Sequence, residues 1–300
     1  MYLIRPPLTF LGIDVPREST RFSFVGVPFD MTSTFVSGSS FAPYYIRLVS
    51  RSLETYSIRH GIDVEDVGIY DEGDVAVSPG AIDSSFRAIE VVAEELIREG
   101  RFTVFVGGEH LITYPIIKAL VRGLSSSLCI VTLDAHADFR NEYLGNKLSH
   151  ACVMRRVSEV ISPNNIFLVG VRAMCSDEVR ELRRSRVRYV TSLDIIRYGL
   201  KHVMNKLNDF ISTCKYVYLS VDIDVLDPAY APGISTPEPE GLTPTQVIYI
   251  VSNVAPNAVS MDVVEVVPRE DQGYATTSLA TKIILESIAS KFARSLTSNV

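Results

Sequence analysis

No stretch of this 300-residue sequence comes near eighteen consecutive apolar residues, so no membrane-spanning helix is expected. Basic excess is missing too. Lys and Arg number 29 against 35 Asp and Glu, a formal net charge of −6, and no basic block occurs. That balance does not suit nucleic acid or an anionic membrane surface; it mildly favours a cationic small molecule. Cysteine is scarce: Cys129, Cys152, Cys175 and Cys214 form no C-x-x-C pair and no cluster. Their spacing argues against a disulfide framework and against a thiolate zinc site. The N-terminus has two prolines and an early arginine where a secretory signal needs an unbroken apolar run, so a cytoplasmic location is expected. With no internal repeat, low-complexity tract or linker-like stretch, residues 1–300 read as a single domain.

What is present is a globular composition, 47% apolar and 21% charged. Short β-branched runs alternate with longer helical patterns. Strands are expected at 22–27, 103–106, 127–133, 166–171, 187–190, 216–221 and 259–266, with a weaker one near 67–70. Helices are expected at 43–53, 84–99, 112–121, 151–160, 177–184, 193–207, 244–254 and 277–294. Strands that are apolar on both faces and separated by helices predict an α/β protein, three layers deep, with a mostly parallel eight-stranded sheet in the middle. One connection is unusual. Eighteen residues after Asp224, VLDPAYAPGISTPEPEGL, hold four of the fifteen prolines; a loop of that length is commonly functional, and its prolines favour order.

Polar residues collect where the expected strands end. FTVFV runs into Gly107-Gly108-Glu109-His110, SLCIVTL into Asp134-Ala135-His136-Ala137-Asp138, YVYLSV into Asp222-Ile223-Asp224, and SMDVV into Glu265. Ligands of open α/β sheets bind beyond the carboxyl ends of the strands, so four such endings can meet at one site. In extended chain, residues i, i+2 and i+4 share a face. Asp134, His136 and Asp138 therefore project together, with Ala135 and Ala137 turned away, and Asp222 pairs with Asp224 by the same parity. A lone D-x-D is usually a turn or a helix cap. Four carboxylates and two imidazoles aimed at one place, with His110 included, are not explained that way, because clustered anions require cations. Four carboxylates balance two divalent ions. Carboxylate and imidazole ligands without sulfur suit Mn²⁺ first, with Fe²⁺, Co²⁺, Ni²⁺ or Zn²⁺ possible. Two such ions would activate a shared water, which points to a hydrolase. His60 and His202 read as structural or exposed.

GGEH, DAHADFR, SHACVMRR, SVDIDVLDPAYAPGISTPEPEGLTP and MDVVEVVP together resemble the ordered motifs of the ureohydrolases, the arginase and agmatinase family. GVPFD at 26–30 and the segment from Gly38 to Arg47 resemble that family's first βα unit, so the likeness covers nearly the whole chain. The resemblance implies one Mn²⁺ among His110, Asp134, Asp138 and Asp222. It implies a second among Asp134, His136, Asp222 and Asp224, bridged through Asp134 and Asp222. It also implies that His150 is the catalytic histidine and that Glu265 faces the guanidinium group of a small cationic substrate. Both roles are chemically sound: a carboxylate holds a planar guanidinium through paired charge-assisted hydrogen bonds, and an imidazole near neutrality can pass a proton to a departing amine. A homo-oligomer, trimeric or hexameric, is implied as well, and the apolar N-terminal arm 1–19 agrees with it.

Three departures from the family pattern stand out: Leu111 where Ser is usual, Ser39 to Ala42 in place of an arginine- and glycine-containing segment, and Glu240 in place of Gly. None is a predicted metal ligand, so they bear on the substrate pocket. The segment 139–149 and PEPEG are most like the agmatinase type. Agmatine is therefore the first expected substrate; guanidinobutyrate, arginine and formiminoglutamate are alternatives, for which Arg140 or Lys147 would meet a carboxylate. A metal-binding scaffold without turnover is the reading from a different class.

Overall fold

The computed structural model describes residues 2–124 and 128–297. Ser127, expected to open the strand at 127–133, lies outside the described residues, as does Met1 of the N-terminal arm. The strands in chain order are β1 (Leu3–Ile4), β2 (Phe22–Val27), β3 (Tyr56–Ser57), β4 (Ile62–Asp63), β5 (Tyr70–Val75), β6 (Phe102–Gly107), β7 (Leu128–Leu133), β8 (Ile166–Val171), β9 (Arg188–Thr191), β10 (Tyr216–Asp222) and β11 (Ala258–Val264). β3 and β4 form a small hairpin; the other nine make one sheet in the order β1-β5-β2-β6-β11-β10-β7-β8-β9. Eight of them run parallel, and the ninth, β1, adds antiparallel to β5. The expectation of eight strands thus becomes eight parallel strands plus a two-residue edge, too short to leave a pattern in sequence. The weaker strand near 67–70 also shifts: 64–67 form a short helix, and β5 starts at Tyr70.

The helices are α1 (Ala42–Ser50), α2 (Val64–Val67), α3 (Ile82–Arg98), α4 (Thr113–Leu124), α5 (Val153–Val157), α6 (Ser176–Ser185), α7 (Ser192–Tyr198), α8 (Leu200–Ser212), α9 (Pro244–Val254) and α10 (Ala275–Thr297). The single helix expected at 193–207 is two, because Gly199 takes a φ of 79° between them, a conformation in which no helix continues. β2, β6, β7 and β8 are buried at every residue, and alternate side chains feed two cores. Val104, Val106, Val131 and Leu219 pack with Ile46, Leu207, Ile250 and Ile284 from α1, α8, α9 and α10. Phe105, Ile130 and Leu168 pack with Ile89, Ile116, Val153 and Leu182 from α3, α4, α5 and α6. Each such aliphatic side chain contributes about 1.5–3 kcal/mol on burial. Helices therefore cover both faces of the sheet, as the apolar runs predict. Among the described residues no helix is long and apolar enough to cross a membrane.

One expectation is corrected. Cys129 and Cys214 form a disulfide, 85 residues apart in sequence. Sequence spacing concealed it: β7 and β10 are neighbours, Val217 is opposite Cys129, and Cys214 enters just before β10. The N-terminal arm packs in part on its own chain, with Tyr2 and Ile4 left exposed. Phe10 is buried and stacked on Phe24, and the Tyr2 carbonyl accepts from the Ala76 amide.

Candidate metal centre and cleft

The four acidic strand endings belong to β6, β11, β10 and β7, which are consecutive in the middle of the sheet and parallel. Their carboxyl ends therefore open on one edge. His110 follows β6 through Gly107-Gly108. A Cβ on Gly108 would lie 1.8 Å from the Phe29 carbonyl oxygen, so only glycine lets β6 end this close to the segment after β2. His110 then begins a turn of 3-10 helix, buried against β10.

Three of the four aspartates share one device, a backbone amide holding one oxygen while the other faces inward. Asp134 Oδ1 accepts from the His136 amide at 2.6 Å, Asp222 Oδ1 from the Asp224 amide at 2.9 Å, and Asp224 Oδ1 from the Ala135 amide at 2.9 Å. The free oxygens converge on the imidazoles. His110 Nδ1 is 3.1 Å from Asp134 Oδ2, 3.1 Å from Asp138 Oδ2 and 3.3 Å from Asp222 Oδ2; His136 Nδ1 is 2.8 Å from Asp224 Oδ2. Yet His110 Nδ1 and Asp134 Oδ2, both buried, make no hydrogen bond. Buried polar atoms are almost always satisfied, so a pair left facing the same point marks a place for a cation. Two groups have ligand atoms within 4.8 Å of one another: His110, Asp134 and Asp222, and Asp134, His136 and Asp224. Asp134 belongs to both, as a bridging ligand must. Asp222 falls in the first group alone, and Asp138 joins only through its approach to His110.

The other face of His110 shows which nitrogen is free. Its Nε2 lies 3.0 Å from Ser220 Oγ, and Ser220 donates its only hydroxyl proton to Asp262 Oδ1 at 2.6 Å. Ser220 can then only accept, so Nε2 carries a proton and Nδ1 is the nitrogen whose lone pair a metal would take in place of the proton the carboxylates draw there. Asp262 also accepts from Thr113 and from Tyr218, each at 2.7 Å. Burial pulls the His110 pKa down, but Asp134, Asp138 and Asp222 push it well above its ordinary value. His136 is likewise opposed by burial and raised to about 12 by Asp224 and Asp134. Burial and the charge of Asp134 lift Asp138 to about 7; burial with Asp224 and Asp134 lifts Asp222 well up. The centre is anion-rich and holds protons where it could hold metal.

Above it lies a cleft of about 420 Å³, walled in part by His150, Glu265, Tyr143 and Glu238. Glu265 stands one residue past β11 with a φ of 65°, held there because its amide donates to the Gly108 carbonyl at 2.9 Å. Its Oε1 accepts from the His110 amide at 2.8 Å and its Oε2 from Ser235 Oγ at 2.7 Å. Burial and the neighbouring Glu109 raise its pKa to about 8. The His150 amide donates to Thr32 Oγ1 at 2.9 Å, and Thr32 donates to Glu109 Oε1 at 2.9 Å. Burial lowers the pKa of the His150 ring, and its edge meets the Tyr143 ring with centroids 6.0 Å apart. All eight residues singled out in sequence thus meet at this edge.

A model of the arginase family matches residues 20–289. The chain belongs to the arginase family. The agmatinase of Bacillus subtilis is 35% identical over 264 residues, 87% of this chain and 88% of that one. The N(1)-aminopropylagmatine ureohydrolase of Thermus thermophilus is 34% identical over 264 residues, 87% of each. The crystal structure of agmatine ureohydrolase of Thermoplasma volcanium superposes with a TM-score of 0.86 at 34% identity, covering 94% of this chain and 93% of that one. Arginase-family proteins are hydrolytic enzymes with binuclear metal centres, and this member is a hydrolase of that family.

Within this arginase-family chain the three departures separate. Leu111 is buried in the core beside Ile112 and Ile116. Ser39 to Ala42 lead into α1 and do not line the cleft, which only Thr34 of that region reaches; the expectation that they alter the pocket is corrected. Glu240 has a φ of 64°, which explains why glycine is usual there. Arg140 reaches the cleft, held 3.5 Å from Glu178 and over the Tyr143 ring, whereas Lys147 is exposed and outside it. Sequence reading missed Ser220, Asp262, Thr32 and Glu109. The one signal was Asp262, an acid inside the apolar run of β11. It also missed Arg172, whose guanidinium donates to the carbonyls of Asp224, Val225, Leu226, Glu238 and Pro239, fastening the long proline loop to the centre.

Proposed function

We propose that this chain, acting as one ureohydrolase unit over its length, hydrolyses agmatine to putrescine and urea, with two Mn²⁺ held by His110, Asp134, His136, Asp138, Asp222 and Asp224. The observation that carries this is the pair of overlapping carboxylate–imidazole groups, with buried unsatisfied atoms, at the floor of a cleft that also holds Glu265 and His150. Bound divalent cations supply Lewis acidity, which makes water nucleophilic near neutral pH and steadies developing negative charge.

The remaining steps fall to side chains of this chain. Glu265, with a lone pair left on each oxygen, accepts N–H groups of the guanidinium and turns its carbon toward the floor. An arriving cation opposes the burial that raises the Glu265 pKa, so the carboxylate ionises as substrate binds. His150 is neutral at pH 7 and accepts the proton released at attack, then donates it to the nitrogen that departs as alkylamine. Thr32 and Glu109 hold the His150 backbone in place for that transfer. The same resemblance supports a cytoplasmic homo-oligomer, trimeric or hexameric.

The test is urea release by Mn²⁺-loaded protein from agmatine, arginine and guanidinobutyrate, with formamide release from formiminoglutamate. Agmatine should lead. H150A should lose about 10²-fold in kcat or more while keeping its metals. If two metals bind and no substrate turns over, the centre is a scaffold and the catalytic reading is lost.

A further inference from the structure

We infer that Glu238 selects guanidino substrates bearing a second positive charge, such as α,ω-aminoguanidines, and disfavours guanidino acids. This rests on the functional reading above and deepens it. Glu238 walls the same cleft as Glu265 and His150. The other carboxylates there are engaged. Asp138, Asp222 and Asp224 face the imidazoles, and Glu265 accepts from His110 and Ser235. Glu178 accepts from the Phe139 and Cys175 amides and lies beside Arg140. The Glu238 carboxylate has no hydrogen bond or ion pair among the described residues.

Neither arginine of the cleft makes an ion pair with it. Arg172 is spent on backbone carbonyls, and Arg140 is held between Glu178 and the Tyr143 ring. The position of Glu238 is nonetheless well defined. Its carbonyl accepts from Arg172 Nη2 at 2.8 Å and Nε at 3.2 Å, and the same Nη2 donates to the Asp224 carbonyl at 2.7 Å. One guanidinium thus ties the root of Glu238 to the backbone of the metal centre. Pro237 and Pro239 on either side restrict the chain further. A guanidinium bound at Glu265 leaves its alkyl tail in the cleft, where an ammonium would meet a carboxylate with no partner of its own and a carboxylate would be repelled.

E238Q keeps the shape and removes the charge. With Mn²⁺-loaded protein, the ratio of kcat/KM for agmatine to that for butylguanidine, which lacks the ammonium, should fall about 5- to 10-fold, as for a half-exposed ion pair. The change should lie in KM. The ratio for guanidinobutyrate to agmatine should rise. Ratios unchanged by the substitution overturn the inference. Calorimetric binding of agmatine and butylguanidine to wild type and E238Q decides the matter even without turnover. Selective binding of agmatine that E238Q abolishes keeps the inference while the catalytic reading fails; equal binding of the two ligands by wild type, or binding of neither, overturns it.

Discussion

Two buried charge clusters in this protein look alike in composition and differ in completeness. Arg47 on α1 is fully buried. Its Nε and Nη2 donate to the two oxygens of Asp71 at 2.7 and 2.9 Å, and its Nη1 to Asp74 at 2.6 Å. Asp71 also accepts from the amides of Phe10 and Gly73. Burial would lower the Arg47 pKa, but Asp71 and Asp74 more than offset it and keep the guanidinium charged. No atom of this cluster is buried without a partner. At the sheet's carboxyl edge the reverse holds, with carboxylates in excess, imidazoles forced to hold protons, and unsatisfied atoms facing each other. A cluster that satisfies itself serves the fold. One that does not is built for something added later.

That contrast is broken most severely at Asp134, the residue shared by both metal groups. D134A should lower kcat/KM by about 10³-fold or more, since interactions of several kcal/mol depend on it. Metal analysis should find fewer than two ions per chain, while circular dichroism should show the fold intact. Unfolding of D134A would place this cluster with Arg47 as a structural one. R47M should do the opposite, costing about 3–5 kcal/mol by leaving the Asp71 carboxylate buried, and Asp74 half-buried, without a counter-charge. Urea denaturation measures the loss, and the folded fraction should still bind metal.

A pH series sharpens the same comparison. In metal-free protein the pKa values of His110, His136, Asp138, Asp222 and Glu265 are raised in the folded state. Stability from such groups is present below their unfolded pKa values and is lost as pH rises through the folded ones. His150 and His60, lowered by burial, work the other way below pH 6.5, and Lys291, lowered by burial to about 8, does so at the top of the range, but the raised groups outnumber them, Glu109 at about 7 among them. The metal-free midpoint should therefore fall between pH 5 and 9, and Mn²⁺ should restore it most at the high end. Metal binding at pH 7 should release protons, detectable by titration in buffers of different ionisation enthalpy. A midpoint that climbs with pH would contradict this account. The smallest effect is expected at Glu240: E240G relieves a left-handed side chain outside both clusters, and should raise stability by about 1 kcal/mol with activity unchanged.

The legible part of the site was short in range. The chain bends at Ala135 and Asp138 has a φ of 49°, so strand alternation does not carry through Asp134, His136 and Asp138; what was legible is that they follow directly on the apolar run of β7, which announced a strand end. The strand pattern of β2, β6, β7, β8 and β10 was readable for the same reason. Less was readable where contacts join distant segments. The Cys129–Cys214 bridge exists because β7 and β10 are neighbours. Ser220 meets Asp262 because they are opposite one another on β10 and β11, and neither spacing carries that information. Arg172 and Glu238, 66 residues apart, look like ordinary surface charges in sequence.

The sequence by itself determined the α/β character and marked out the polar strand endings that the fold gathers at one edge, since both are patterns within a few residues of chain. Tertiary structure alone decided that four strand ends are adjacent, which nitrogen of His110 is free, and which carboxylates remain unpartnered. Those are properties of packing between segments, where burial and the choice of partner set the charge a group can hold.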